Sequence, residues 1–177
     1  MKQETAILTS RLKQREPAAC QQLLSDYGPA VFRIVQRIVT QHEDAEEVYQ
    51  DVFVKVLRSI DSYDPDQAAL GTWISRIAYH EALNSVRGRK PQMVYMEDYN
   101  TEVNYAESDS ADREQTLQQL EQAIDRLQPQ EQAVITMFYY DDMSLADIAY
   151  VTGSQISTIG SQLSRIRKKL YQIIKTL

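Results

Sequence analysis

Apolar residues recur at intervals of three and four along most of this chain, which is the spacing of one buried face of an α-helix. Prolines and glycines lie between these runs at positions that start or stop helices. Pro17 and Pro29 suit first helical turns, and Gly28 separates two of the runs. The pattern predicts an all-α protein. Ahead of residue 143, its predicted helices cover 3–14, 17–26, 29–40, 43–60, 70–88, 112–127 and 129–140.

The last third of the chain has the pattern of a helix-turn-helix. Ser144 and Asp147 have the spacing of a capping box, Gly153 permits a left-handed turn, and Ser154 is placed to cap a second helix. One face of that helix is apolar and is formed by Ile156, Ile159, Leu163, Ile166, Leu170 and Ile173. The opposite face is polar and basic and is formed by Thr158, Ser161, Gln162, Arg165, Lys168 and Lys169. Two such helices fit the DNA major groove, although an ordinary helical hairpin with a solvated basic face has the same pattern.

Charge is distributed unevenly along the chain, so the net charge of -6 does not by itself exclude a nucleic-acid partner. Residues 1–90 carry 12 basic and 12 acidic side chains, residues 91–125 carry one basic and nine acidic, and residues 126–177 carry six basic and four acidic. Residues 91–111 also lack a helical stripe, which predicts a flexible acidic linker. The linker is predicted to join a helical domain over 1–90 to a helix-turn-helix domain over 112–177.

The composition excludes several other classes of protein. Because Cys20 is the one cysteine among 177 residues, the chain has no internal disulfide framework, which is typical of a reducing cytoplasm. No apolar run is long enough to span a bilayer, so we expect a cytoplasmic protein without membrane insertion. The sequence lacks a glycine-rich phosphate loop, an HExxH zinc motif and any metal-ligand spacing. We therefore expect neither enzymatic activity nor a metal or other cofactor.

Three longer motifs follow one another along the chain. The first is Asp44-Ala-Glu-Glu-Val-Tyr-Gln-Asp-Val-Phe53, and the second is Gly71-Thr-Trp-Ile-Ser-Arg-Ile-Ala-Tyr-His80 with basic residues after it. The third runs from Leu127-Gln-Pro129 to Ser164-Arg-Ile-Arg-Lys-Lys-Leu170. In this order and spacing they resemble the motifs of bacterial RNA polymerase sigma factors of the extracytoplasmic-function (ECF) class, in the sigma-70 family. The resemblance covers roughly residues 17–175.

The resemblance implies a transcription initiation factor that binds core RNA polymerase and directs it to promoter DNA. It implies that the first domain docks on the polymerase and helps to melt the -10 element. It implies that the helix-turn-helix reads the -35 element. An anti-sigma factor is a further partner that the resemblance suggests.

The resemblance also implies roles for individual residues. Candidate polymerase contacts lie on the acidic helix over 43–60 and are Asp44, Glu47, Gln50, Asp51 and Lys55. Candidate -10 contacts share one face of the helix over 70–88 or follow it, and are Arg76, Tyr79, His80, Asn84, Arg87, Arg89 and Lys90. The -35 candidates are the six residues of the polar and basic face given above. Gly160 departs from the family pattern, because Lys or Arg is usual there.

Two other classes of function explain part of the pattern. An ordinary helix-turn-helix transcriptional regulator would bind duplex DNA without core polymerase, but it would leave the basic face of the first domain unexplained. A helical adaptor that binds only proteins would leave the basic C-terminal segment unexplained. Binding to core RNA polymerase distinguishes both alternatives from an initiation factor.

Overall fold

Helices form all of the regular secondary structure in the residues that the computed structural model describes, which are 2–87 and 110–176. This confirms the all-α prediction. Eight α-helices, numbered α1 to α8 in chain order, are Lys2–Lys13, Pro17–Ile38, His42–Ser59, Leu70–Arg87, Ser110–Asp125, Pro129–Tyr139, Leu145–Thr152 and Ile156–Lys175. A single 3-10 turn, Ile60–Ser62, follows α3. The linker predicted over 91–111 lies outside the described residues except for its last two positions, which belong to α5.

Helix α2 is continuous across Pro29, so the predicted break at Gly28 is wrong. Proline removes one backbone N–H from a helix interior, but a long buried face that includes Leu23 and Ile34 holds the helix together on both sides of it. Gly28 has a packing role instead. A Cβ at this position would lie 2.7 Å from the Tyr49 hydroxyl oxygen of α3. The missing side chain therefore lets α2 and α3 approach each other closely.

The first helical unit, α1 to α4, has a core formed mainly where α2, α3 and α4 meet. Ile34 of α2, Val52 and Val56 of α3, and Ile74 of α4 are all fully buried there. After α3 the chain turns through a loop in which the Tyr63 hydroxyl donates a hydrogen bond of 3.1 Å to the Ala68 carbonyl. This loop fixes the start of α4 against the core.

The second helical unit, α5 to α8, contains the helix-turn-helix in α7 and α8. The capping box forms as predicted, because Asp147 N donates to Ser144 Oγ at 3.1 Å and Ser144 N donates to Asp147 Oδ2 at 3.3 Å. Gly153 ends α7 in the left-handed region, with a φ of 72°. The predicted cap at Ser154 is wrong, since Gln155 is the N-cap residue of α8 and its side chain forms no capping hydrogen bond.

The two units pack against each other, with α2 against α6 and α4 against α7. Ion pairs join Arg33 of α2 to Asp141, which lies between α6 and α7, and Arg37 of α2 to Asp125 of α5. This interface is called the seam below. It determines which surfaces of α4 and α7 remain open.

Two glycines in the helix-turn-helix are expected to respond in opposite ways to alanine. A Cβ at Gly160 in α8 would meet only Leu145 Cδ1, at an ordinary 4.0 Å, so Gly160→Ala should raise the free energy of unfolding by about 0.5–1 kcal/mol. Gly153→Ala should lower it by about 1–2 kcal/mol, because its φ of 72° is unfavourable for a residue with a Cβ. Urea denaturation followed by circular dichroism measures both changes. A destabilised Gly160→Ala would contradict the space found beside Gly160.

Candidate protein and nucleic-acid interfaces

The acidic face of α3 is exposed because the opposite face of the helix is buried. Ala45, Val48, Val52 and Val56 turn into the core. The predicted polymerase contacts Glu47, Gln50 and Asp51 are exposed on the other side, and Asp44 is half-buried beside them. Carboxylates in the first turns also suit the positive end of the helix dipole. The structure therefore presents these residues together on one rigid helix.

Two details of the α3 face were not evident from its sequence. Lys55 is exposed, but its ammonium group donates to the Glu81 carboxylate of α4, so the predicted polymerase contact already has a partner within the chain. Val54 lies one turn after Gln50 and is 45% exposed. Its position in the sequence, outside the buried stripe of α3, could have identified it as an exposed apolar residue. The face is therefore acidic with an apolar residue at its C-terminal end.

A stripe of α4 faces α7 across the seam. Thr72, Arg76 and His80 are spaced four residues apart and so lie on one side of the helix. Thr72 Oγ1 donates to Asp147 Oδ1 at 3.0 Å. The Arg76 guanidinium donates to the Tyr150 carbonyl and lies 4.8 Å from the centroid of the Tyr150 ring. Two of the predicted -10 contacts, Arg76 and His80, are thus on a face that α7 covers.

Tyr79 is buried, so its predicted position on an exposed face of α4 is wrong. Its side chain is only 6% exposed, and its ring meets the His80 ring edge-on with centroids 5.4 Å apart. Burial raises the pKa of the Tyr79 hydroxyl. The physical reason is that α4 packs against α2 and α3 on one side and against α7 on another, so its buried surface is wider than a single stripe.

The remaining predicted -10 contacts are less enclosed. Asn84 and Arg87, in the last turns of α4, are exposed. Arg89 and Lys90 lie outside the described residues. The structure therefore divides the predicted set into a covered part, which ends at His80, and an open part, which begins at Asn84.

Among the described residues, His80 Nε2 and Asp141 Oδ2 are buried polar atoms at the seam without a hydrogen-bond partner. Burial, followed by the positive charge of Arg76, lowers the pKa of His80. The Asp141 side chain is 5% exposed, and its other oxygen, Oδ1, accepts from Arg33. An unsatisfied buried polar group costs about 1–3 kcal/mol, whereas a partly exposed ion pair contributes about 0–1 kcal/mol. These polar contacts therefore add little stability to the seam, and the two units are held together mainly by the buried apolar cluster that spans both of them.

The outward face of α8 is narrower than the sequence predicted. Thr158, Ser161 and Arg165 are exposed and Gln162 is half-buried. Lys169, by contrast, turns toward α6 and pairs with Glu131 at 2.9 Å. Lys168 lines a groove of about 630 Å3 whose other lining residues include Leu120, Ile124, Tyr139 and Tyr171. The two lysines are therefore turned toward the side of α8 that carries α5 and α6.

The tip of α8 contains an exposed apolar residue where the sequence predicted a buried one. Ile156 is 54% exposed, because the buried stripe of α8 begins only at Ile159. The chain carries no charged residue between Asp147 and Arg165. This tip can therefore contact another molecule through apolar and hydroxyl groups. Charged side chains occur only farther along the helix, from Arg165 onward.

Comparison with known proteins agrees with this arrangement. The family model described as Sigma-70 region 2 matches residues 23–92, and the model described as Sigma-70, region 4 matches residues 117–170. The chain belongs to the sigma-70 family. The first match contains the acidic face of α3 and the whole of α4, and the second contains the helix-turn-helix. Members of this family are sigma factors, the transcription initiation factors that direct RNA polymerase to promoters.

Relatives among curated proteins place the chain in the ECF class of this family. It is 28% identical to the ECF RNA polymerase sigma-E factor of Haemophilus influenzae, over 96% of this chain and 95% of that protein. It is 26% identical to the ECF RNA polymerase sigma factor RpoE of Cereibacter sphaeroides, over 94% and 92%. It is 27% identical to the ECF RNA polymerase sigma factor SigE of Mycolicibacterium smegmatis, over 94% of this chain but only 65% of that longer protein.

Two solved structures share the fold of this sigma factor. CnrH, in complex with the cytosolic domain of CnrY, aligns with a TM-score of 0.70 and 22% identity over 97% of each chain. The sigma factor RpoE of Bartonella quintana, in complex with the anti-sigma factor NepR, aligns with a TM-score of 0.64 and 25% identity over 88% of this chain and 96% of that one. Among the described residues, no helix is long and apolar enough to cross a membrane. The same residues contain no cluster of metal-ligating side chains.

Proposed function

We propose that this sigma factor binds core RNA polymerase in the cytoplasm and supplies promoter specificity without catalysing a reaction or using a cofactor. A domain over 1–90 docks on the polymerase and helps to melt the -10 element. An acidic linker over 91–111 connects it to a domain over 112–177, which reads the -35 element. The observation that carries this proposal is the presence, in one chain, of an exposed acidic helix face and a helix-turn-helix, each within a matched sigma-70 region.

Reconstituted transcription tests this function directly. The purified chain is added to core polymerase, and run-off transcripts are measured from genomic promoters mapped after overexpression of the chain. Transcripts that appear only with both proteins support an initiation factor. Binding of the chain to duplex promoter DNA, with no association with core polymerase, would instead favour the ordinary helix-turn-helix regulator.

An anti-sigma factor is proposed as a second protein partner. The support is that one aligned structure is of a sigma factor bound to the anti-sigma factor NepR. Affinity capture of the tagged chain from its own cells identifies candidates. A captured protein that inhibits the reconstituted transcription supports this partner, and capture of polymerase subunits alone counts against it.

Docking on the polymerase is assigned to the acidic face of α3, formed by Asp44, Glu47, Gln50 and Asp51, with Lys55 at its edge. We expect Asp51→Arg to weaken binding to core polymerase by about tenfold or more, because charge complementarity across an interface is replaced by repulsion. Fluorescence anisotropy of the labelled chain measures the affinity. Asp26→Arg is the matched control, since Asp26 is an exposed carboxylate on a different helix, α2. Equal affinities for the two variants would remove the docking assignment.

Capture of the melted -10 strand is assigned to α4 and the basic residues after it, namely Arg76, Tyr79, His80, Asn84, Arg87, Arg89 and Lys90. We expect the double variant Asn84→Ala with Arg87→Ala to form the polymerase complex normally but to open the -10 region poorly. Both side chains are exposed, so their loss spares the core, whereas Tyr79→Ala would also remove a buried ring. Permanganate reactivity of -10 thymines measures opening. Unchanged reactivity would contradict the assignment.

Duplex reading is assigned to the exposed face of α8. Phosphate contacts position a protein on DNA, whereas base contacts specify the sequence. Ser161, Gln162 and Arg165 are assigned to base edges of the -35 element, and Thr158 is a further -35 candidate on the same face. Lys168 and Lys169 lie farther along α8 and are assigned to phosphates, although Lys169 must leave Glu131 to reach one.

Ile156 is proposed as an additional base contact, to the methyl group of a thymine. Apolar side chains in the major groove recognise that methyl group, and the uncharged tip of α8 offers an apolar and hydroxyl-bearing surface. We expect Ile156→Ala to lose several-fold affinity for the selected -35 duplex. It should also lose most of the difference between thymine and deoxyuridine at one position. Ile7→Ala is the matched control, because Ile7 of α1 is 53% exposed. If wild type and Ile156→Ala distinguish the two bases equally, the contact does not exist.

A further inference from the structure

The groove between α5, α6 and α8 of the second unit has no role in the proposed function. Its volume is about 630 Å3, within the range of roughly 300–1,000 Å3 that is usual for small-molecule sites. Its apolar lining includes Ile124, Ile135 and Leu170, which are buried, and Leu120 and Ile174, which are half-buried. Because these side chains also belong to the packing of the unit, the apolar surface is formed by the fold itself.

The α8 wall of this groove is polar at one end and apolar at the other. Ser164, Arg167 and Lys168 line its first part, and Leu170 and Ile174 line the part that follows. From the first of these residues to the last, the helix rises about 15 Å, at about 1.5 Å per residue. A molecule that lies along this wall therefore meets hydroxyl and cationic groups at one end and hydrocarbon at the other.

The positive charge at the polar end is not neutralised by the part of the chain that the structure describes. Neither Arg167 nor Lys168 forms an ion pair there, whereas the next residue, Lys169, pairs with Glu131. Arg167 Nη1 lies 3.5 Å from the Tyr139 hydroxyl oxygen, and no residue that lines the groove is acidic. The polar end therefore favours an anionic group.

We propose that this groove binds a free fatty acid of about twelve carbons, with its carboxylate at Arg167 and its hydrocarbon chain along Leu170 and Ile174. The planar guanidinium can donate two parallel hydrogen bonds to a carboxylate, which the ammonium of Lys168 cannot do. An extended chain of about twelve carbons is comparable in length to the α8 wall, given about 1.5 Å per C–C bond and the zigzag of the chain. The inference is independent of the proposed function, because it concerns the free chain and a small molecule.

Two probes that share one hydrocarbon chain, dodecanoate and dodecylammonium, test the charge that the groove prefers. Isothermal titration calorimetry with the full chain measures both affinities, with each probe kept below the concentration at which it forms micelles. The net charge of -6 would favour the cation over long range, so a preference for the anion reports the local field of the groove. We expect dodecanoate to bind at least tenfold more tightly than dodecylammonium.

The length of the probe tests the apolar part of the groove. Each buried methylene should raise the affinity about fourfold, so dodecanoate should bind about fifteenfold more tightly than decanoate. Methyl NMR of the isoleucine-labelled chain locates the probe. We expect dodecanoate to shift the signals of Ile124, Ile135 and Ile174, and to leave those of Ile34 and Ile74, which are buried in the first unit, unchanged.

Two variants with matched controls test the assigned residues. Arg167→Gln should weaken dodecanoate binding about tenfold without weakening dodecylammonium binding, and Arg126→Gln is its control, because Arg126 is exposed in the same unit but does not line the groove. Leu120→Trp should weaken both probes by filling the groove, and Leu24→Trp, at a 43% exposed position of α2, is its control. Circular dichroism melting verifies that each variant is folded. If Leu120→Trp does not fold, the exposed Arg167 still provides the test.

Several results would overturn the inference. Equal affinities for the two probes, or an unchanged dodecanoate affinity in folded Arg167→Gln, would show that the groove does not select a carboxylate. Isoleucine shifts outside the groove would place the probe elsewhere. Groove signals that ignore dodecanoate but shift when core polymerase is added would show a protein occupant. Binding to phosphatidylglycerol vesicles without a response to monomeric dodecanoate would show contact with a membrane surface instead.

Discussion

The arrangement of this protein depends on the packing of α4, which is covered on two sides by different kinds of contact. One side carries Ile74, Ala78 and Ala82 into an apolar core with α2 and α3, where burial of each large side chain contributes on the order of 2 kcal/mol. The other side meets α7 through a hydroxyl, a guanidinium and an imidazole. The buried apolar side chains of α4 and α7 also belong to one continuous cluster. Helix α4 therefore completes the first unit and at the same time joins it to the second.

Local sequence signals predicted those features whose cause lies within a few residues. The capping box at Ser144 and the left-handed turn at Gly153 depend on side chains or backbone freedom at those positions, and both occur where the sequence places them. The buried stripe of α3 also follows from its spacing alone. In each case the partner of the interaction is a neighbour in sequence, so the pattern contains all the information that is needed.

Most of the predictions that were wrong failed because of contacts with residues that lie far away along the chain. Pro29 does not end α2, because the helix is held by partners in other elements. Tyr79 is buried and Arg76 is covered because α7, more than sixty residues later, lies beside α4. Lys169 is drawn toward α6 by Glu131. Ile156 shows the opposite error. It fits the apolar spacing of α8, but it lies about one turn before Ile159, where the buried face begins, and so it is exposed. Periodicity identifies a face but does not reveal what covers it.

Asp147 uses one carboxylate oxygen within the cap of its own helix and the other between the two units. Oδ2 accepts from the Ser144 backbone and hydroxyl and so belongs to the cap of α7, whereas Oδ1 accepts from Thr72 of the other unit. The carboxylate that begins α7 therefore also fixes the first turn of that helix against α4. Helix capping and tertiary packing thus share one short side chain, so the place where α7 starts and the place where it docks are set together.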